Sequence, residues 1–88
     1  MKILFEEAFY KDLKKINNKT LHRKIADIIK RVKNANTISD IPNIKKLHHK
    51  REYFRIRIGN YRLGLEMIGS TVVFVRILHR KDIYKYFP

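Results

Sequence analysis

Four arginines stand out by their spacing. Arg55 and Arg57 alternate with Phe54, Ile56 and Ile58, Arg62 follows a Gly59-Asn60 pair, and Arg76 lies inside the apolar run Val72 to Leu78. If these runs are strands, alternation sends the guanidinium groups to one face and the aliphatic side chains to the other. Like charges opposite one another across a sheet are destabilising, and Glu66 is the one acid set among them. A solvated, inert face is the plain account. A phosphate cradle is the sharper one, because guanidinium forks hold phosphate oxygens in pairs and keep their charge at working pH. Four on one face favour the cradle.

Other side chains extend that chemistry. Lys45, Lys46, Lys50 and Arg51 form a basic loop suited to steering towards nucleic-acid phosphates without reading sequence. Near the end stand His79, Arg80, Lys81, Tyr84 and Tyr86. An imidazole titrates near neutrality and can exchange a proton, while the two tyrosines either close the sheet edge or stack on a base. The chain has 21 Lys+Arg against 8 Asp+Glu, a net +13, more than solubility asks of a small domain, so a polyanionic partner is expected. The sheet half is the more cationic, with 11 basic and 3 acidic residues in 45–88 against 10 and 5 in 1–44. No metal site and no cofactor are expected. There is no cysteine, adjacent His48 and His49 would point to opposite faces of a strand, and His22 reads as a solvated side chain on a charged helix.

The elements that position these groups follow from periodicity. Eighty-eight residues suit one domain spanning 1–88. Met1 to Phe5 reads as a short strand, and Glu6 and Glu7 favour the start of a helix to about Ile16, with Phe9, Leu13 and Ile16 inward and Lys11, Asp12, Lys14 and Lys15 in water. Asn17-Asn18 breaks the pattern before Leu21, Ile25, Ile28, Ile29 and Val32 recur at helical spacing. Residues 34–43 read as a connection that holds a short turn. Tyr53 to Ile58 and Tyr61 to Ile68 form a hairpin about Gly59-Asn60, with Ile56 facing Leu63 and Arg57 facing Arg62. A third strand, Val72 to Leu78, follows Gly69-Ser70. One extra loop residue there aligns Val73, Val75 and Ile77 with Met67, Leu65 and Leu63 and keeps Arg76 outward. Lys81 to Pro88 is a short aromatic tail. No apolar run approaches the roughly 18 residues of a membrane span, and the amino-terminal residues lack a signal-peptide pattern, so a cytoplasmic protein with no membrane partner is expected.

Lys45-Lys46-Leu47, the run Tyr53 to Gly64 and the run Val75 to Tyr84 resemble the core pattern of the RelE/ParE toxin superfamily. The Tyr61-Arg62 pair after the turn and His79-Arg80-Lys81-Asp82-Ile83-Tyr84 are its most specific parts. The resemblance implies an α+β fold of order β-α-α-β-β-β, two amino-terminal helices against a curved antiparallel sheet. It also implies a cognate antitoxin, acidic and partly helical. In the RelE branch it implies a ribosome-dependent, metal-free messenger-RNA endonuclease; in the ParE branch, a DNA gyrase inhibitor; a non-toxic nucleic-acid-binding module on the same fold is the third reading. RelE-type nucleases are similar to this chain in supplying basic side chains from the hairpin strands, here Arg55 and Arg57, arginines matched by Arg62 and Arg80, and a carboxy-terminal tyrosine matched by Tyr84. Two positions often filled by lysine are arginine here, and arginine cannot readily act as a base. Proton transfer is therefore open, with His79 the best alternative. Retention of these five residues favours the RelE branch.

Overall fold

Helix formation follows the apolar spacing. In the computed structural model, which describes residues 1–88, strand β1 (Lys2–Phe5) leads into helix α1 (Glu7–Lys15) and helix α2 (Lys19–Asn34). The Asn17-Asn18 break is a true helix boundary: Asn18 Oδ1 accepts from the Leu21 N–H at 3.0 Å, satisfying one of the first-turn donors. His22 is half-buried, and its Nε2 lies 2.6 Å from the Ile16 carbonyl oxygen, so it ties the end of α1 to the start of α2 and is not the solvated side chain expected. A 3-10 turn (Ile38–Asp40) lies in the connection read from residues 34–43.

Four more strands follow: β2 (Ile44–Lys46), β3 (Tyr53–Ile58), β4 (Tyr61–Ile68) and β5 (Thr71–His79), then a four-residue helix α3 (Ile83–Tyr86). They form one five-stranded sheet in the order β1-β5-β4-β3-β2, the α+β architecture expected. Two features go beyond the sequence reading. β1 runs parallel to β5 while the other pairs are antiparallel. The expected basic loop begins with an edge strand, β2, which lays Lys45 beside Arg55. No helix is long and apolar enough to cross a membrane.

The hairpin register is as the alternation requires, with Ile56 against Leu63 and Arg57 against Arg62. The β4–β5 register reaches its end by another route. The turn is the tight two-residue Gly69-Ser70, pairing Ile68 with Thr71 and Leu65 with Phe74, and the extra residue is absorbed by a bulge at Val75, after which Gly64 pairs with Arg76 and Leu63 with Ile77. Val72, Phe74 and Ile77 thus point to the core, in place of Val73, Val75 and Ile77. A bulge places two residues opposite one and re-aims the strand beyond it; here it keeps Arg76 off the helix side.

Phe9, Ile25, Ile56, Leu63, Leu65 and Phe74, all 0–1% exposed, form the centre of the helix–sheet core. Each contributes about 1.5–3 kcal/mol on burial, whereas the exposed pairs Lys11–Glu7 and Lys46–Glu52 are worth ~0–1 kcal/mol each. The core layer therefore decides stability. On the opposite face the chain end folds back, burying Ile83 and Phe87. Phe87 lies flat on Gly64, where a Cβ would stand 2.7 Å from the ring carbons. Gly64→Ala is expected to cost about 1–3 kcal/mol through overpacking and to expose the carboxy-terminal residues to protease. A melting temperature and a proteolysis rate like those of the wild type would show that Phe87 does not depend on the missing side chain.

Candidate functional site

Antiparallel partners share a face, so the register builds the outward surface row by row. Lys45, Arg55, Gly64 and Arg76 make one row across β2, β3, β4 and β5, and Arg57, Arg62 and Leu78 make the next. Two like-charged pairs, Lys45 with Arg55 and Arg57 with Arg62, sit directly opposite one another. Helix α3 brings Tyr84 onto this surface, its ring centroid 4.8 Å from the Arg55 guanidinium carbon. Together Asn43, Ile44, Lys45, Arg55, Arg57, Arg62 and Tyr84 line an open cleft of ≈ 340 Å³.

The cations of this cleft have few partners of their own. Arg62 donates from Nη1 to the carbonyl oxygens of Gly59 at 2.9 Å and Tyr61 at 3.0 Å, which folds it over the hairpin turn and leaves Nε and Nη2 free. Neither Arg55, Arg57 nor Lys45 forms an ion pair. Tyr84 is 69% exposed, an aromatic face held out to solvent beside three arginines. Such a surface can bind phosphate oxygens through guanidinium N–H groups and stack a base on the phenol ring.

Other expected site residues are placed elsewhere. Arg76 lies in the outward row but is committed to α1. It donates from Nε to Asp12 Oδ2 at 2.7 Å and from Nη2 to Asp12 Oδ1 at 2.8 Å, and this hydrogen-bonded carboxylate raises its pKa further above the ordinary arginine value. Arg51 likewise donates from Nε at 2.7 Å to Glu66, whose hydrogen bond raises its pKa. Lys46 pairs with Glu52 at 3.1 Å. Lys45, Lys46, His48, His49 and Lys50 line a separate shallow basic recess. Arg80 and Lys81 are exposed in the turn after β5, with the Arg80 N–H donating to the Asn60 carbonyl at 2.8 Å, beside the hairpin that Arg62 covers. His79 pairs with Tyr61 on the helix-side parity of β5 and does not line the arginine cleft. No three His, Asp or Glu residues gather where they could hold a metal ion.

Asp12, Gly64 and Phe87 are the structural determinants that helical and strand periodicity did not mark. Asp12 was expected in water, yet it is 4% exposed. Its carboxylate accepts from Arg76 and from the Ile77 N–H at 3.1 Å, capping β5 beyond the end of β1. A glycine inside a strand is a recognised sign of a bulge or a close approach, and Gly64 is both.

Comparison with known proteins is decisive for family. The model of the ParE toxin of type II toxin–antitoxin systems matches residues 3–84. The chain belongs to the RelE/ParE toxin superfamily. This RelE/ParE toxin is 46% identical over 89 residues, the full length of both chains, to Toxin RelE3 of Methanocaldococcus jannaschii. Its fold matches the toxin–antitoxin complex RelB-RelE from Methanococcus jannaschii with a TM-score of 0.83 and 44% identity, covering 97% of this chain and 99% of that one. An archaeal RelE-RelB complex from Pyrococcus horikoshii shares the fold alone, with a TM-score of 0.74 at 14% identity over 90% and 93% of the two chains. The chain is a toxin of the type II toxin–antitoxin class.

Proposed function

We propose that this toxin cleaves messenger RNA on the ribosome without a metal ion and is silenced by an acidic, partly helical antitoxin. The observation that carries the reading is the exposed cleft in which Lys45, Arg55, Arg57 and Arg62 surround Tyr84. Metal-free cleavage has the 2′-hydroxyl oxygen attack the adjacent phosphorus while the bond to the 5′-oxygen breaks. The 2′-hydroxyl proton passes to a base and the leaving oxygen receives one from an acid, giving a 2′,3′-cyclic phosphate and a 5′-hydroxyl. Charge grows on the non-bridging oxygens in the transition state, and Arg55, Arg57 and the free nitrogens of Arg62 are the donors set for it. Arginine keeps its protons. Tyr84 and Lys45 are the groups in the cleft able to exchange one, whereas His79 stands outside it.

The test uses purified toxin, programmed ribosomes and an end-labelled message. Wild type is expected to cut ribosome-bound message, leaving the cyclic phosphate, and Arg62→Ala to slow the cut by about 10²- to 10³-fold, the effect of losing one oxyanion donor, with the melting temperature unchanged or raised by relief of the Arg57 repulsion. Intact message together with inhibited DNA supercoiling would replace this reading by the gyrase one.

Ribosome affinity is expected to fall steeply with salt, each phosphate contact adding nearly one unit to the slope of log affinity against log salt. Equilibrium binding between 50 and 200 mM salt, roughly the range in which such contacts are lost, measures it. A flat response would mean that the +13 charge is not spent on RNA.

A further inference from the structure

Metal-free cleavage needs one group to take a proton and another to give one, and the arginine cleft contains two side chains able to do either. Arg55, Arg57 and Arg62 keep their protons. Asn43 and Ile44 have none to exchange, and no carboxylate or imidazole lines the cleft. His79 lies in a second recess at the free edge of β5, together with Ile16 and Tyr86. Lys45 and Tyr84 remain, and the sheet sets them on different sides of the arginines.

Lys45 is held by a strand and not by a loop. The chain enters β2 through Asn43, whose φ of 61° lies in the left-handed region that asparagine tolerates better than most residues, and the Asn43 carbonyl accepts from the Arg57 N–H at 3.3 Å. Ile44 then pairs with Ile56 and Lys45 with Arg55. Ile44 packs against the core, so alternation turns Lys45 outward. Its neighbour Lys46 has the opposite parity and is occupied by Glu52 at 3.1 Å. Lys45 itself is exposed and has no acidic partner. In the row Arg76, Gly64, Arg55, Lys45 the lysine stands at the sheet edge, about 5 Å beyond Arg55. Tyr84 reaches the same arginine from the other direction: α3 packs on β5 and lays the ring 4.8 Å from the Arg55 guanidinium carbon. A phosphate on Arg55 and Arg57 is thus flanked by an ammonium group on the β2 side and a phenol oxygen on the β5 side. Attacking and leaving oxygens lie in line on opposite sides of phosphorus, so the two groups fall to opposite ends of the reacting axis.

We infer that Lys45 is the general acid of the cut, protonating the 5′-oxygen as it leaves, while Tyr84 serves the 2′-hydroxyl at the other end; the inference rests on the ribonuclease reading. Tyr84, as phenolate, takes the 2′-hydroxyl proton as the bond from the 2′-oxygen to phosphorus forms. The bond from phosphorus to the 5′-oxygen breaks with its electron pair on that oxygen, which receives a proton from Lys45 Nζ. The products are the cyclic phosphate, the 5′-hydroxyl, a phenol and a neutral amine, and solvent returns one proton from phenol to amine. Two features suit the lysine to its end. An ammonium group carries its proton at working pH, and its charge attracts the leaving oxygen as that turns negative. Giving the proton away also removes the like-charge opposition between Lys45 and Arg55.

A message with sulfur in place of the 5′-oxygen at the linkage that the wild type cuts, mapped first on an all-oxygen message, tests the assignment. A thiolate leaves without being protonated, so the sulfur message has no use for an acid. On programmed ribosomes, Lys45→Ala and Lys45→Arg are expected to cut the oxygen message about 10²- to 10⁴-fold more slowly than the wild type, the usual worth of a positioned acid, and to recover most of that loss on the sulfur message. Lys45→Arg keeps the charge, which separates proton donation from attraction for phosphate, and sulfur rescue shows at once that the variants are folded. Arg62→Ala and Tyr84→Phe should stay slow on both messages, because charge still gathers on the non-bridging oxygens and the 2′-hydroxyl must still lose its proton. Lys45 variants equally slow on both messages, Lys45→Arg as fast as the wild type on oxygen, or sulfur rescue of Tyr84→Phe instead, would each overturn the assignment and leave the ribonuclease reading in place. A wild type that cuts neither message would remove that reading and the assignment with it.

Discussion

Tyr84→Phe is expected to slow cleavage by about 10²- to 10⁴-fold, the usual worth of positioned acid–base help, while message still binds. The substitution keeps the ring face over Arg55 and removes only the hydroxyl. Tyr84→Ala should weaken binding in addition, by roughly 1–3 kcal/mol of lost stacking. His79→Gln serves as the companion measurement. Because His79 lines the other recess, its loss should leave the near-neutral pH profile of the cut intact. Single-turnover cleavage across pH separates the cases. A mild Tyr84→Phe defect with a His79→Gln enzyme that has lost its near-neutral limb would return proton transfer to the imidazole.

Asp12→Ala should be the most damaging single substitution for folding outside the apolar core. The carboxylate is buried and engages both edges of a two-pronged arginine contact as well as the Ile77 N–H. Removing it leaves the Arg76 charge, with side-chain exposure of 23%, and a strand N–H unpaired. Breaking such a pair costs about 3–5 kcal/mol, and partial hydration of Arg76 favours the lower figure, equivalent to a fall in Tm of roughly 12–24 °C for a domain this size. Thermal melting reads it, and a midpoint within a few degrees of wild type would refute the capping role. Arginine with a raised pKa contributes its stability at every pH below its ordinary value and loses it only as pH climbs through the raised one. The Arg76 side of the pair therefore adds no pH dependence near neutrality.

The cleft was legible in the sequence because it is built from strict alternation about a two-residue turn, which fixes the facing of Arg55, Arg57 and Arg62 from a few neighbours. What escaped was set by distant contacts. Asp12 has the helical position of a surface residue, and only Arg76, 64 residues away, makes its burial favourable. The β4–β5 offset was recognised, but its source was not: a bulge and a longer turn shift register equally, and only the packing of Phe74 and Phe87 on the two faces separates them. β2 is three residues long and mostly charged, so it carries almost no strand signal before β3 is there to pair with it.

The parallel pairing of β1 with β5 governs how the molecule comes into being on a translating ribosome. β1 is the first element made, and its partner, paired from Lys2 with Thr71 to Phe5 with Phe74, emerges near the end of synthesis. Until then α1 has neither the Phe74 ring nor the Arg76 fork to settle on, and contacts so far apart in sequence are slow to close. The nascent chain thus spends most of its elongation without the assembled arginine cleft. The interval leaves time for an antitoxin to be in place before the fold closes.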